Sequence, residues 1–165
     1  MAVVDTFLKL TNGIDGESTD DKHKGEIEID SWSWGVAQSG AGQRSGTTGS
    51  GAGKASFQDI HFVSKVNKAS PKLFLACATG QHIDEVNLAV RKAGGAQQEY
   101  LKIKLTQVLV SSYHLGGSGH TEVAPTEQYS LNYAKVEFHY TPQDAKGNMM
   151  SEVIGGYDVS ANKKV

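Results

Sequence analysis

The sequence has a single cysteine, only three prolines, and no surplus of either charge. A lone Cys77 excludes an internal disulfide framework and a thiolate metal cluster. Its neighbours, Leu75, Ala76 and Ala78, are apolar or small, so it reads as a buried small hydrophobe rather than an activated thiol. Sixteen Lys and Arg stand against eighteen Asp and Glu, a net charge of -2, which leaves no electrostatic footprint for nucleic acid or an anionic membrane. No stretch approaches the ~20 apolar residues that span a bilayer. The opening MAVVDTFLKL lacks the basic and sustained apolar regions of a secretory signal. The expectation is folding in the cytoplasm, with any export handled by a machine that needs no cleaved signal.

Catalytic signatures are also missing. Gly53-Lys54 suggests a phosphate loop, but Thr48 stands where its first glycine belongs and Ala55 where its hydroxyl belongs. Ser118 lacks the glycine two residues on that a nucleophile elbow needs, His120 standing there instead. None of the six histidines forms HExxH; His114 and His120 share one loop without a third ligand at metal spacing. His61 and His139 lie in strand patterns and read as hydrogen-bonded sheet residues. The acidic run Asp15 to Asp21 lacks calcium-loop spacing and reads as a solvated loop. Glu26, Glu28 and Asp30 alternate with Ile27 and Ile29, as on a water-facing strand. No catalytic residue, cofactor or metal is expected, and a hydrolase using His61 or His120 with a carboxylate has no motif to support it.

What is present is β patterning. With 165 residues, 38% hydrophobic and 21% charged, the chain suits one domain spanning 1–165. Period-two alternation predicts strands over 3–10, 26–36, 55–66, 85–92, 99–111 and 129–140, with a weaker one over 153–160. Gly94-Gly95 predicts a hairpin between two long strands. One helix is predicted over 70–80, with Ser70 as N-cap, Pro71 at its first turn, Gly80 closing it, and Leu73, Phe74 and Cys77 on the sheet.

Three strands change parity midway: Ile27 and Ile29 give way to Trp32 and Trp34, Leu105 to Val108, and Tyr133 to Val136. Such changes mark bulges, bends or burial on both faces. Repeated three times, they predict a curved sheet closing as a barrel, or a second buried surface outside the monomer core. Between them SGAGQRSGTTGSGAGK, residues 39–54, has no apolar side chain larger than alanine and cannot join a core. It predicts a projecting flexible arm, and His114 to Pro125 a second such loop. A coreless arm and two-sided strands, without chemistry, point to self-assembly.

FLKLTNGIDGES (7–18), HKGEIEIDSWSWGV (23–36), NKASPKLFLACATGQHI (67–83), RKAGGAQQEYLKIKL (91–105) and EQYSLNYAKVEFHYTPQ (127–143) together resemble the Hcp (haemolysin-coregulated protein) family of bacterial type VI secretion systems. The resemblance covers nearly the whole chain in the family's order. It implies a mainly β fold, a two-sheet β-barrel with one short flanking helix, similar to phage tail-tube proteins. It implies hexameric rings that stack into a tube inside a contractile sheath and are expelled with a spike. Small effector proteins ride in the channel of some members. The protein would then be assembled in the bacterial cytoplasm and secreted without a cleaved signal. Ending just after Tyr157-Asp158-Val159, the chain looks like the structural form with no fused toxin domain.

Two sets of residues are site candidates. Gly42, Gln43, Arg44, Thr47 and Thr48, within the arm, are candidates for a subunit or ring-stacking contact in which a flexible segment orders on its neighbour. Asp30, Ser31 and Ser33 are candidates for the channel surface if Trp32 and Trp34 pack inward; strand alternation alone equally allows the outer solvent face. The competing reading of the whole is a monomeric β-barrel carrying a small ligand.

Overall fold

The computed structural model describes residues 4–38, 54–93, 95–120 and 124–165. The arm candidates Gly42, Gln43, Arg44, Thr47 and Thr48 lie outside the described residues. The elements run β1 (Val4–Leu10), β2 (Ile27–Glu28), β3 (Ser31–Ser33), β4 (Val36–Ala37), β5 (Ser56–Phe57), β6 (Ile60–Lys65), α1 (Ser70–Thr79), β7 (His82–Lys92), β8 (Glu99–Gly116), β9 (Thr126–Tyr140), β10 (Val153–Asp158) and β11 (Lys163–Lys164). The chain is mainly β with one helix, as the patterning predicts.

The long strands β8 and β9 form the spine, paired from Leu101↔Tyr140 to Gly116↔Thr126. The other side of β9 is shared: β6 pairs its first half and β10 its second. One sheet face therefore runs β11-β10-β9-β8-β7-β1-β2, and a second runs β3-β6-β9-β8. The turn between β7 and β8 is the predicted hairpin, with Arg91 opposite Glu99.

The two faces meet along one line. Ile83↔Val108 and Glu85↔Thr106 pair, as do Val108↔Tyr133 and Thr106↔Lys135, but Asp84, Gln107 and Ala134 between them have no ladder partner. Gln107 takes a left-handed φ of 53°, costly for a side-chain-bearing residue, while the register on either side of it is unchanged. Each strand spends one residue at this line, so burial passes from Ile83 to Val86, Leu105 to Val108, and Tyr133 to Val136. The predicted parity changes in β8 and β9 are this bend, and β7 shares it. The freed carbonyl of Ala134 accepts from the backbone of Val159 at 2.8 Å, just past the end of β10.

The third parity change has another cause. The predicted strand over 26–36 is broken into β2, β3 and β4. Ile27 pairs with Leu8 of β1, whereas Trp32 pairs with Phe62 of β6. At the step, Ile29 N–H donates to Thr6 O and Asp30 N–H to Val63 O, each at 2.9 Å. Two successive residues thus bond to two different sheet faces. β2 and β3 do not pair with each other, so the strand ladder is open rather than a closed barrel.

Between the faces lie Leu8, Leu10, Ile27, Ile60, Phe62, Leu88, Ile103, Leu105, Val108, Leu131 and Val136, with Leu73 and Ala76 from α1. Each buried aliphatic or aromatic side chain of this size contributes roughly 1.5–3 kcal/mol. Trp32, Trp34 and Cys77 pack against the core as partly buried residues. Trp34 Nε1–H donates to the Tyr133 hydroxyl at 2.6 Å, which donates on to Gln58 O at 2.8 Å.

The helix corrects two expectations. Its N-cap is Ala69, not Ser70, and has no side-chain cap bond. Asn67 orders the entry instead: its Oδ1 accepts from Ala69 N–H, and its own N–H donates to Ser70 Oγ, both at 2.9 Å. Phe74 does not pack on the sheet but stands 57% exposed, because Leu73 and Ala76 take the core-facing stripe. Gly80 closes the helix in the left-handed region, as predicted. The expected loop over His114 to Pro125 is also shorter, since His114, Leu115 and Gly116 pair with Gln128, Glu127 and Thr126.

Candidate functional site

Leu8 points into the core, so by alternation Phe7 points to the opposite face of β1. Phe7 is nonetheless buried, because the segment between β1 and β2 folds back over it. Gly16 N–H donates to Gly25 O at 2.8 Å and Ser18 N–H to Glu26 O at 3.0 Å, making the segment a closed ribbon. Gly16 is required there: a Cβ would sit 2.5 Å from the Glu26 carbonyl oxygen.

The ribbon is held by charge. His23 lies flat against Phe7, ring centroids 4.3 Å apart, and Arg91 covers the ring as well, with Cζ 4.9 Å from its centroid. His23 Nδ1 is 2.5 Å from Glu26 Oε2, and Nε2 is 2.6 Å from Glu99 Oε1. Arg91 is buried, sits opposite Asp5 in the ladder, and ion-pairs with Asp5 and Asp20. Hydrogen bonds from Arg91, and backbone donation from Lys22 and His23, hold the Asp20 carboxyl down at about 2. The same pairing raises the Arg91 guanidinium above its ordinary value.

This network overturns two sequence expectations. The acidic run 15–21 is not wholly solvated, since Ser18 is buried and Asp20 is an ion-pair hub. Nor do Glu26, Glu28 and Asp30 form one water-facing row: Glu26 is largely buried on His23, while Asp30 Oδ2 accepts from Lys65 Nζ at 3.0 Å. The signal was available in Phe7-Leu8, two large apolar neighbours on one strand, which demand cover on both faces.

A second buried carboxylate lies at the far end of the spine. Glu127 is fully buried and accepts from Tyr113 OH at 2.6 Å, Ser64 Oγ at 3.0 Å and Asn67 Nδ2 at 3.4 Å. Burial, with the Glu127 carboxylate beside it, pushes the Tyr113 hydroxyl up to about 12, so it stays a donor. Above this floor an open groove of about 570 Å³ is lined by Val66, Pro71, Phe74, Tyr113 and Leu115, with Asn67, Lys68 and Ser70. Leu115 is 60% exposed.

The predicted surface residues fall as follows. Ser31 and Ser33 are exposed on β3, alternating with Trp32 against the core, and Asp30 is exposed beside them. The arm's two ends are joined by the β4–β5 ladder, Val36↔Phe57 and Ala37↔Ser56. His61 and His120 are exposed, and neither faces a carboxylate among the described residues. No group of three metal-ligating side chains occurs among the described residues, and none of their helices is long and apolar enough to cross a membrane. The positions between the sheet faces that a carrier barrel would leave open are occupied by core side chains.

The chain is thus a bent, two-face, mainly β protein with one helix and a charged ribbon. The model of the family described as type VI secretion system effector, Hcp, matches residues 7–140. Protein hcp1 of Pseudomonas aeruginosa is 46% identical over 145 residues, covering 87% of each chain. A solved structure of a type six secretion system protein superposes with a TM-score of 0.90 at 34% identity, covering 98% of this chain and 99% of that one. Hcp1 from Salmonella typhimurium gives a TM-score of 0.78 at 38% identity, with the same coverage of each chain. A type VI secretion system effector from Yersinia pestis gives 0.74 at 34% identity, covering 93% and 99%. The chain belongs to the Hcp family and is a type VI secretion tube or effector protein.

Proposed function

We propose that this chain is the structural subunit of the type VI secretion tube, forming hexameric rings that stack and are expelled with the spike. The match to Hcp structures over nearly the entire chain carries this reading. In it the step at Ile29-Asp30 and the bend at Gln107 are the two corners of the folded sheet, which becomes one segment of the ring wall. Copies of itself, the spike, the contractile sheath and small channel-borne effectors are its partners. It is made in the bacterial cytoplasm, is secreted through the type VI apparatus, and performs no catalysis. Asp30, Ser31 and Ser33 face the channel, and the arm around Gly42, Gln43, Arg44, Thr47 and Thr48 contacts a neighbouring subunit or ring.

Native mass spectrometry and negative-stain microscopy of the purified protein test the assembly directly. Sixfold rings are the expected result; a stable monomer would instead favour the small-ligand carrier. Photocrosslinking from position 31 tests the channel assignment. Adducts to a co-purified effector support it, and adducts to sheath alone refute it.

A further inference from the structure

A ring of identical subunits needs two different faces per chain, each complementary to the other. The described surface carries two apolar faces at opposite ends of the β8–β9 spine. At one end the groove between α1 and β8 exposes Phe74 and Leu115, near the Tyr113↔Tyr129 pair. At the other end, beside Leu101↔Tyr140, Val153 and Ile154 of β10 stand 63% and 55% exposed, flanked by Met150 and Tyr140.

The chemistry of the two faces matches. Asn67, Ser70 and Tyr113 on the floor of the groove spend hydrogen bonds on one another and on Glu127, while the buried Tyr129 hydroxyl beneath has no partner among the described residues. The groove therefore offers a mainly apolar seat, and Phe74 set edge-on to Tyr113 at 6.4 Å holds one wall. On β10, Val153 and Ile154 are neighbours on one strand and so project to its two opposite faces, making the strand edge itself an apolar ridge that ends at Gly155-Gly156. Beyond the β9 pairing, Val153 to Gly155 have no second strand partner among the described residues, whereas Gly156 O accepts from Val165 N–H at 3.2 Å next to β11. Charge agrees as well: Lys68 lines the groove, and Glu152, whose Oε1 lies 2.9 Å from His139 Nδ1 of its own chain, precedes the ridge.

We propose that the α1–β8 groove of one copy receives the Val153-Ile154 ridge of the next, with Lys68 of the first facing Glu152 of the second. The inference rests on the ring reading and names the faces that close it. The contact is heterologous and leaves the other end of each subunit free to repeat it, as a closed ring requires.

The test uses full-length protein in a Cys77→Ser background, with wild type alongside. Ile154→Asp and Phe74→Asp each place a charge in a desolvated contact and are expected to cut the ring fraction roughly tenfold or more by native mass spectrometry. Lys68→Glu weakens rings and Lys68→Glu with Glu152→Lys restores them. Leu115→Cys with Ile154→Cys gives disulfide-linked oligomers, because the two positions are at opposite ends of one chain but adjacent across the contact. Both Asp sites are exposed in the monomer, and the cross-link does not depend on their folding. Wild-type rings with intact Asp-variant rings and no cross-link would overturn the assignment while leaving the ring reading standing. Rings that persist while binding of another secretion component is lost would give the groove to that component and also overturn it. A monomeric wild type would overturn the ring reading itself.

Discussion

The imidazole of His23 lies flat on the ring of Phe7, centroids 4.3 Å apart and planes 7° from parallel, while both its nitrogens meet carboxylates from different parts of the chain. One aromatic ring on the outer face of β1 thereby anchors a sixteen-residue excursion between β1 and β2 that carries little apolar surface of its own.

The buried cation of that network is its most sensitive member. Arg91→Met removes the partner of Asp5 and Asp20 and should destabilise the fold by about 3 kcal/mol, the low end for breaking a buried pair, since both carboxylates keep some water. Arg91→Lys should recover only part of this, because an ammonium cannot fork between two carboxylates. Urea denaturation of the three proteins measures both.

Acid should act through Asp20. Its carboxyl is held at about 2 in the fold against an ordinary 3.8, so its contribution is fully present above the ordinary value and is lost as pH falls towards 2. Asp20→Asn should therefore lower stability at neutral pH and flatten the decline between pH 4 and 2. Thermal melts across that window read the difference.

The bend makes a backbone prediction. Gln107 sits at φ 53° without a ladder partner. Gln107→Gly should be tolerated or slightly stabilising, whereas Gln107→Val, β-branched in a left-handed conformation, should cost about 1–3 kcal/mol. Differential denaturation of the pair isolates the φ effect.

Beneath the groove, Tyr113→Phe removes the shortest hydrogen bond to fully buried Glu127. The loss should be about 2 kcal/mol, as for a bond to a charged group. Tyr113→Phe with Glu127→Gln should cost less than the two single changes added, which a double-mutant cycle by calorimetry would show.

The arm is tested by deletion. Removing Gly42 to Gly51 should leave the circular dichroism spectrum and melting temperature of the fold nearly unchanged, because the segment GQRSGTTGSG has no large apolar side chain and the chain is paired on either side of it at Val36↔Phe57. Stacking into tubes should be impaired. Tubes of normal length by electron microscopy would refute the arm's assembly role.

The sequence by itself determined what depends on local periodicity: strand positions, the β7–β8 hairpin, the helix with its Gly80 close, and parity changes at Gln107 and Ala134. Those features follow from side-chain alternation and turn chemistry, which the chain carries residue by residue. Tertiary structure alone decided which face each change served. The parity change at Asp30 proved to be a step between two sheet faces rather than a bulge, because Thr6 and Val63, far apart in sequence, accept from neighbouring residues. It also decided that His23, Asp20 and Glu26 belong to a buried network, since their partners Arg91 and Glu99 arrive from another hairpin. Phe74 was left exposed for the same reason: the core had room for only one stripe of α1, and Leu73 and Ala76 filled it. Long-range charge and packing have no period along the chain, so only the fold could assign them.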